Sequence, residues 1–326
     1  MHHEDHLHRG TCRLPLQSAP HRAPPPLAPA AVSGAPYVLI MAMIPNQLPR
    51  LASDPAGRSL GLDLPPGALT GPADDPYLWS GHGPAGPGGW SALRPAARTA
   101  GLLPVLLAGD DDLDAWHLMP EAMSDPADHD ADEVLAELWE EYLASEIPEE
   151  ERDPAVTATV EELFGEQPEY EEVVAPYAAG WPGLAPAWPP RTDPDAAAAA
   201  AATALTRPGS WMEEARPALV PARRSADIPA VIGWSGPLNH EDDVARLCAV
   251  LRSWEDRFGA RVVALAPATL VVSVAAPPRT VEEAEALAAE HFAFCPDNIT
   301  QGDHDTLRAY ARGALLNAPL WTFWWD

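Results

Sequence analysis

The side chains whose types and spacing could do chemistry fall in two short stretches near the C-terminus. The first, Trp234-Ser235-Gly236-Pro237-Leu238-Asn239-His240-Glu241-Asp242-Asp243, places an imidazole three residues before the Asp243 carboxylate. That pair could share a ligand or a metal. The second, His291-Phe292-Ala293-Phe294-Cys295-Pro296-Asp297-Asn298, sets a thiol one helical turn after a histidine. If His291 reaches Cys295, the thiolate becomes a candidate nucleophile. Brought together from facing elements, Trp234, Asn239, His240, Asp243, His291, Cys295, Asp297 and Asn298 form the candidate pocket. Each also has a structural reading. The acids cap a helix start, His291 borders an apolar face as a satisfied core histidine does, and Cys295 to Asn298 mark a helix end and turn. No complete catalytic constellation is present, no metal site is assigned and no cofactor is indicated.

Weaker patterns lie upstream. Gly57-Arg58-Ser59-Leu60-Gly61 matches a nucleophile elbow by letter, but the strand before and helix after that the motif needs are missing, and Pro65-Pro66 follow. Asp110, Asp112, Asp114 and Glu121 take positions of a calcium loop, yet Ala115 stands where the sharp turn wants glycine. A solvated acidic turn explains them. The glycines of 81–90 lack the lysine and the strand–loop–helix context of a phosphate cradle. Four histidines in the first eight residues have the composition of a transition-metal binder. The simpler expectation is that residues 1–42 are a disordered or upstream extension, with Met41 or Met43 as the start in place of Met1.

The elements that must position the two stretches read as alternating strands and helices. Asn239 serves as N-cap, with Asp242 three residues on, in a capping-box-like start. Val244, Leu247, Cys248, Leu251, Trp254 and Phe258 then recur at helical spacing, Asp242 can pair with Arg246, and Gly259 closes the helix. Residues 261–265 and 269–274 read as a hairpin. Thr280 and Glu283 form a capping box before the stripe Val281, Ala284, Leu287, Ala288 and Phe292, and Asp303 caps a third helix. Residues 320–325 make a last strand with more aromatics than one strand face buries, so some belong on a surface or in a groove. With Leu219-Val220 first, the order is βαββααβ. That predicts an α+β, ferredoxin-like sandwich with helices on one face of an antiparallel sheet.

The set GWSGPLNHE, RSWEDRFGAR, SVAAPP, EHFAFCPDNI and WTFWWD resembles actinobacterial proteins carrying domain of unknown function 4253, over about residues 216–326. The Leu48–Leu51 and Leu60–Gly67 stretches are similar to the N-terminal part of the same proteins. The resemblance implies a bacterial cytoplasmic protein of two regions and carries no activity with it.

Composition bounds the rest. The chain has 326 residues, a formal charge of -28 and 20 basic side chains, all arginine. Without lysine there is no Schiff base, phosphate-loop lysine or lysine-activated serine. The acidic surface disfavours nucleic acid and anionic membrane. Three scattered cysteines suit a reducing cytosol. Residues 43–174 read as an acidic α+β region, with Leu60, Leu62 and Leu64 alternating as a strand and Pro104 pushing its apolar run to a sheet edge. Within it, 110–172 hold 24 of the 48 acids. Val134, Leu135, Leu138, Trp139, Tyr142, Leu143 and Ile147 there form one apolar stripe, opposite a Glu-rich face suited to a basic protein partner. Residues 175–215 read as a Pro/Ala-rich linker in which 196–202 form a helical spacer capped by Asp193 or Asp195. The sum points to a non-enzymatic binding or interaction module. The competing reading is a hydrolase-like or metal-dependent enzyme using His240, His291, Cys295 and Asp297.

Overall fold

The computed structural model describes residues 45–109, 113–116, 118–145 and 169–326. In chain order these form β1 (Gly67–Thr70), β2 (Leu78–Gly81), α1 (Gly89–Leu93), α2 (Pro95–Ala100), β3 (Leu103–Leu107), α3 (Ala131–Ser145), α4 (Tyr170–Val173), α5 (Pro194–Leu205), β4 (Arg216–Val220), α6 (Ile228–Ile232), α7 (Val244–Phe258), β5 (Arg261–Ala266), β6 (Thr269–Ser273), α8 (Val281–Phe294), α9 (Asp297–Thr300), α10 (Leu307–Tyr310) and β7 (Leu320–Trp324). The strands make one mixed sheet in the order β1-β2-β4-β3-β5-β6-β7. All neighbours run antiparallel except β3 and β5, which are parallel, with Leu106 opposite Ala264.

Alternation along the strands sends side chains to two apolar layers. Val105, Leu107, Val262, Leu270, Val272, Trp321 and Phe323 face the larger core, where α3, α7 and α8 deliver Leu138, Trp139, Leu251, Trp254, Phe258, Leu287 and Phe292. Leu106, Val263 and Val271 face the other way, onto α5 and Trp90 of α1. A third cluster gathers Leu48, Leu51, Leu60, Leu62 and Leu64 against Trp79, Leu93 and Leu219. The apolar stripes expected for α3, α7 and α8 are therefore core, although Ile147 lies outside the described residues.

The molecule is α+β, but the ferredoxin-like arrangement is not the one formed. β4, the expected first strand of the C-terminal sandwich, pairs with β2 and β3, and β3 separates it from β5. Within 216–326 the helices do keep to one face, in the larger core. The stretch expected as a linker supplies α5, whose Ala198, Ala202 and Leu205 are buried on the sheet face opposite α7 and α8. A helix apolar all round seeks cover, and alanine lets it lie close to the strands. Ile44–Asp326 is accordingly a single compact unit, with no break at 175–215.

Several local expectations are corrected in the same way. β3 is central, not an edge, because β5 pairs only with Leu106 and Leu107, past the point where Pro104 lacks its N–H. Leu60, Leu62 and Leu64 are buried, yet Leu60 ends a 3-10 turn, the other two follow it, and none lies in a strand. α7 is capped by Asp243, which accepts from Ala245 N at 3.2 Å, so Asn239 and Asp242 lie before the helix. Arg246 then pairs with Glu137 and Glu241 rather than Asp242. Thr306, not Asp303, caps α10. The Thr280–Glu283 capping box and the left-handed Gly259 at the end of α7 are as expected.

Gly233, in the GWSGP stretch, shows how the two halves interlock. It has φ 63°, and a Cβ there would strike the backbone of Met119 and Pro120. Met119 N donates to Gly233 O at 2.9 Å, so the N-terminal half rests directly on this glycine.

Candidate functional site

The residues singled out by sequence do converge in part, and what they surround is the last strand. β7 pairs with β6 along one side only. On its other side Asn298 takes the place of a neighbouring strand. Its Nδ2 donates to Thr322 O at 2.8 Å, and its Oδ1 accepts from Trp324 N at 3.2 Å. The Cys295 thiol donates to Trp324 O at 3.0 Å, with Asn298 Oδ1 at 3.4 Å. Farther along, Asp297 Oδ2 accepts from Asp326 N at 3.1 Å, and Asn239 Nδ2 donates to Asp326 O at 2.9 Å. Trp325 meets Trp234 edge to face at 5.7 Å, and Trp234 Nε1 donates to Ala266 O. An unpaired strand edge is a hazard for association, and these side chains close it. The CPDN turn after α8 is therefore an edge cap for the WTFWWD strand.

Behind the clamp His291 is fully buried, with Nδ1 3.0 Å from the Tyr310 hydroxyl. That hydroxyl also accepts from Asn298 Nδ2 at 3.2 Å. The imidazole ring packs against Trp254, Trp321 and Phe323 at 4.6 to 5.0 Å, and its Nε2 has no hydrogen-bond partner among the described residues. Burial holds its pKa well below the usual imidazole range. Burial also drives the Cys295 thiol far above its ordinary value, as it does the Tyr310 hydroxyl. The link from His291 to Cys295 runs through Tyr310 and Asn298, so the candidate thiol–imidazole pair is not made. A thiol kept neutral in a sealed interior is a poor nucleophile.

The first stretch also divides. Asp243 faces α3's approach, accepting from Ser124 N at 3.1 Å with His129 Nε2 at 3.8 Å. His240 lies toward α8, where burial lowers its pKa against the raising influence of the Ala293 backbone and Asp297. Glu241 is buried beside Arg246, and its carboxyl is pushed upward by that burial. Among the described residues no group of three or more His, Cys, Asp or Glu could hold a metal. Asp110 and Asp112 of the calcium pattern lie outside the described residues, and Glu121 is exposed on a 3-10 turn. Ser59 sits in another 3-10 turn, with its N–H bonded to Asp54.

One heavily engaged buried polar group is one that sequence reasoning passed over. Glu290 of α8 has no solvent exposure and forms a two-pronged pair with Arg257 of α7 at 2.6 and 2.8 Å. It also accepts from Trp254 Nε1 and from Ala185 N, both at 2.7 Å, while Arg257 donates to Ala185 O at 2.8 Å. This pins the proline-rich 181–190 segment onto the helices, helped by Trp188 Nε1 donating to Ala276 O. Position on the apolar stripe of α8 was the available signal, since a glutamate there requires a partner.

The closing aromatics are mostly interior. Trp321, Phe323 and Trp325 are buried and Trp324 half-buried, because α7, α8 and Trp234 cover the face that one strand alone could not. Exposed charge lies elsewhere. Asp132, Glu133, Glu137, Glu140 and Glu141 line the outer face of α3, beside Glu171 and Glu172 of α4. Arg246 pairs with Glu137, and Asp132 accepts from Trp181 Nε1. No described helix is long and apolar enough to cross a membrane.

Comparison with curated proteins and with solved structures finds no match. Residues 216–326, from the first residue of β4 to the last of the chain, match the family described as a domain of unknown function (DUF4253).

Proposed function

We propose that this chain is a non-enzymatic binding protein of the bacterial cytosol, which offers the acidic face of α3 to a basic protein partner. The observation that carries the reading is how the polar groups are divided. Among those able to do chemistry, Cys295, Tyr310 and Asn298 bond to one another or to β7 inside the core, and His291 meets the Tyr310 hydroxyl through Nδ1. Those left in water on α3 are carboxylates. A run of like charge on one face favours encounter with the opposite charge and repels nucleic acid and anionic lipid.

Two measurements test this. Iodoacetamide at neutral pH should leave Cys248 and Cys295 unmodified in the native protein and label both in urea, since both thiols are buried. Rapid native labelling of Cys295 would return the enzyme reading built on His240, His291, Cys295 and Asp297. In a pull-down with the full chain, a specific partner should elute as salt is raised, and substituting Gln for Glu133, Glu140 and Glu141 should weaken its capture. Capture indifferent to salt and to those substitutions counts against the acidic face.

A further inference from the structure

A cleft of about 630 Å3 opens at the end of the sheet where β3 and β5 begin. Its charged lining comes from elements far apart in sequence. Arg94 and Arg98 come from α1–α2, Arg223 and Arg224 follow β4, and Arg261 starts β5. Five of the 20 basic side chains in a chain with 48 acids thus meet in one concavity. Two carboxylates, Asp195 and Glu255, line it with them.

The ion pairs form a chain. Arg94 and Arg261 share Asp195 at 3.2 and 3.1 Å, Arg261 and Arg224 share Glu255 at 3.0 Å each, and Arg224 also reaches Asp256, outside the lining. This knits three guanidiniums into the wall. Arg98 and Arg223 are exposed and have no hydrogen-bond or ion-pair partner among the described residues. Trp90, Pro95, Leu103, Pro104 and Val262 add apolar wall, and Ser91, Thr99 and Ser225 add hydroxyls. Trp90 Nε1 donates to Pro104 O at 3.1 Å, fixing α1 on β3.

From this arrangement we infer that the cleft is a binding site for a dianionic phosphoryl group. Two unpaired guanidiniums match the charge of a phosphate monoester, about -1.5 to -2 at neutral pH, better than that of a single carboxylate. Their planar forks suit its oxygens, and the paired arginines behind them hold the wall in place. The volume falls in the range of small-molecule sites and exceeds what a phosphoryl group fills, so an organic body has an apolar wall to lie on. The lining offers no histidine or cysteine, and both of its carboxylates are held by arginine, so the inference is one of binding. α3 contributes nothing to the cleft, which makes this inference independent of the partner reading.

Calorimetric titration of the full chain at low salt tests it, with inorganic phosphate, phenyl phosphate and benzoate as probes. Both phosphoryl probes should bind and benzoate should bind at least about tenfold more weakly. The double variant Arg98→Ala/Arg223→Ala should lose at least about tenfold for the phosphoryl probes. Arg279→Ala, exposed and outside the cleft, should change nothing. Phenyl phosphate binding more tightly assigns the site to an ester, and equal affinity assigns it to free phosphate. The inference is overturned if neither phosphoryl probe binds at millimolar concentration, if benzoate binds as well, or if Arg279→Ala weakens binding as much as the double variant. Both arginines are exposed, so the double variant should keep the wild-type urea midpoint, which separates lost binding from lost fold.

Discussion

Glu290 shows what a single side chain carries in this core. Replacing it with Gln would leave the half-buried Arg257 without its counter-charge and weaken the bonds to Trp254 and Ala185, at a cost of about 3–5 kcal/mol. Urea unfolding should show this as a large fall in midpoint. A loss below about 1 kcal/mol would mean that water, not Arg257, satisfies the carboxylate. His291 governs a different observable. Its folded pKa lies well below the ordinary value of 6.5, so below that pH the unfolded chain binds a proton that the native protein refuses. Its contribution is complete above the unfolded value and is lost as pH falls toward the folded one, by at most about 1.4 kcal/mol per pH unit. His240 acts with the same sign. Glu241 opposes them, because its raised value makes its contribution fade as pH rises above 4.5. Urea midpoints taken between pH 7.5 and 5.5 should therefore fall with pH, and His291→Gln should flatten the slope. Identical slopes in the two proteins would remove His291 from the account.

At the scale of an element, α7 distinguishes a cap visible in sequence from the cap that forms. Asn239 satisfies every local preference for an N-cap, but the chain turns through Pro237 and Glu241 before the helix begins at Val244. Asp243 therefore takes the role and also holds Ser124 N. Asp243→Ala should cost about 1–2 kcal/mol, whereas Asn239→Ala, which loses only its bond to Asp326 O, should cost about 0.5 kcal/mol. Thermal unfolding of the two variants side by side checks the order. If the ranking were reversed, the helix would start at 240. β7 makes a related point about edges. The Asn298 amide and the Cys295 thiol take the hydrogen-bonding positions of a missing strand.

For the whole molecule, the sheet is the unit of folding. The family-matched segment 216–326 contains four of the seven strands, but β4 has both of its neighbours outside that segment and β5 has one. Expressed alone, this segment should expose unpaired edges and the faces that α3 and α5 cover, and should show no cooperative urea transition. Residues 45–326 should unfold in one step. A cooperative transition and near-UV dichroism from 216–326 alone would show that β2 and β3 are dispensable.

The local features were legible because they depend on near neighbours. The Thr280–Glu283 box, Gly259, the β5–β6 hairpin and the apolar stripes of α3, α7 and α8 are written within a few residues of where they act. Periodicity shows that a face must be covered without naming what covers it. So the sequence announced that α5 is apolar but not that it closes the far side of the sheet, and that Pro104 lacks an N–H but not that a central strand has room for it. The Glu290–Arg257 anchor, the Asn298 clamp and the arginine cleft each join residues from separate parts of the chain. Their meaning comes from distance and burial, which only tertiary structure supplies. In sequence, His291 and Cys295 are a turn apart and suggest reaction. In the fold, each is desolvated and bonded elsewhere, which distance and burial alone reveal.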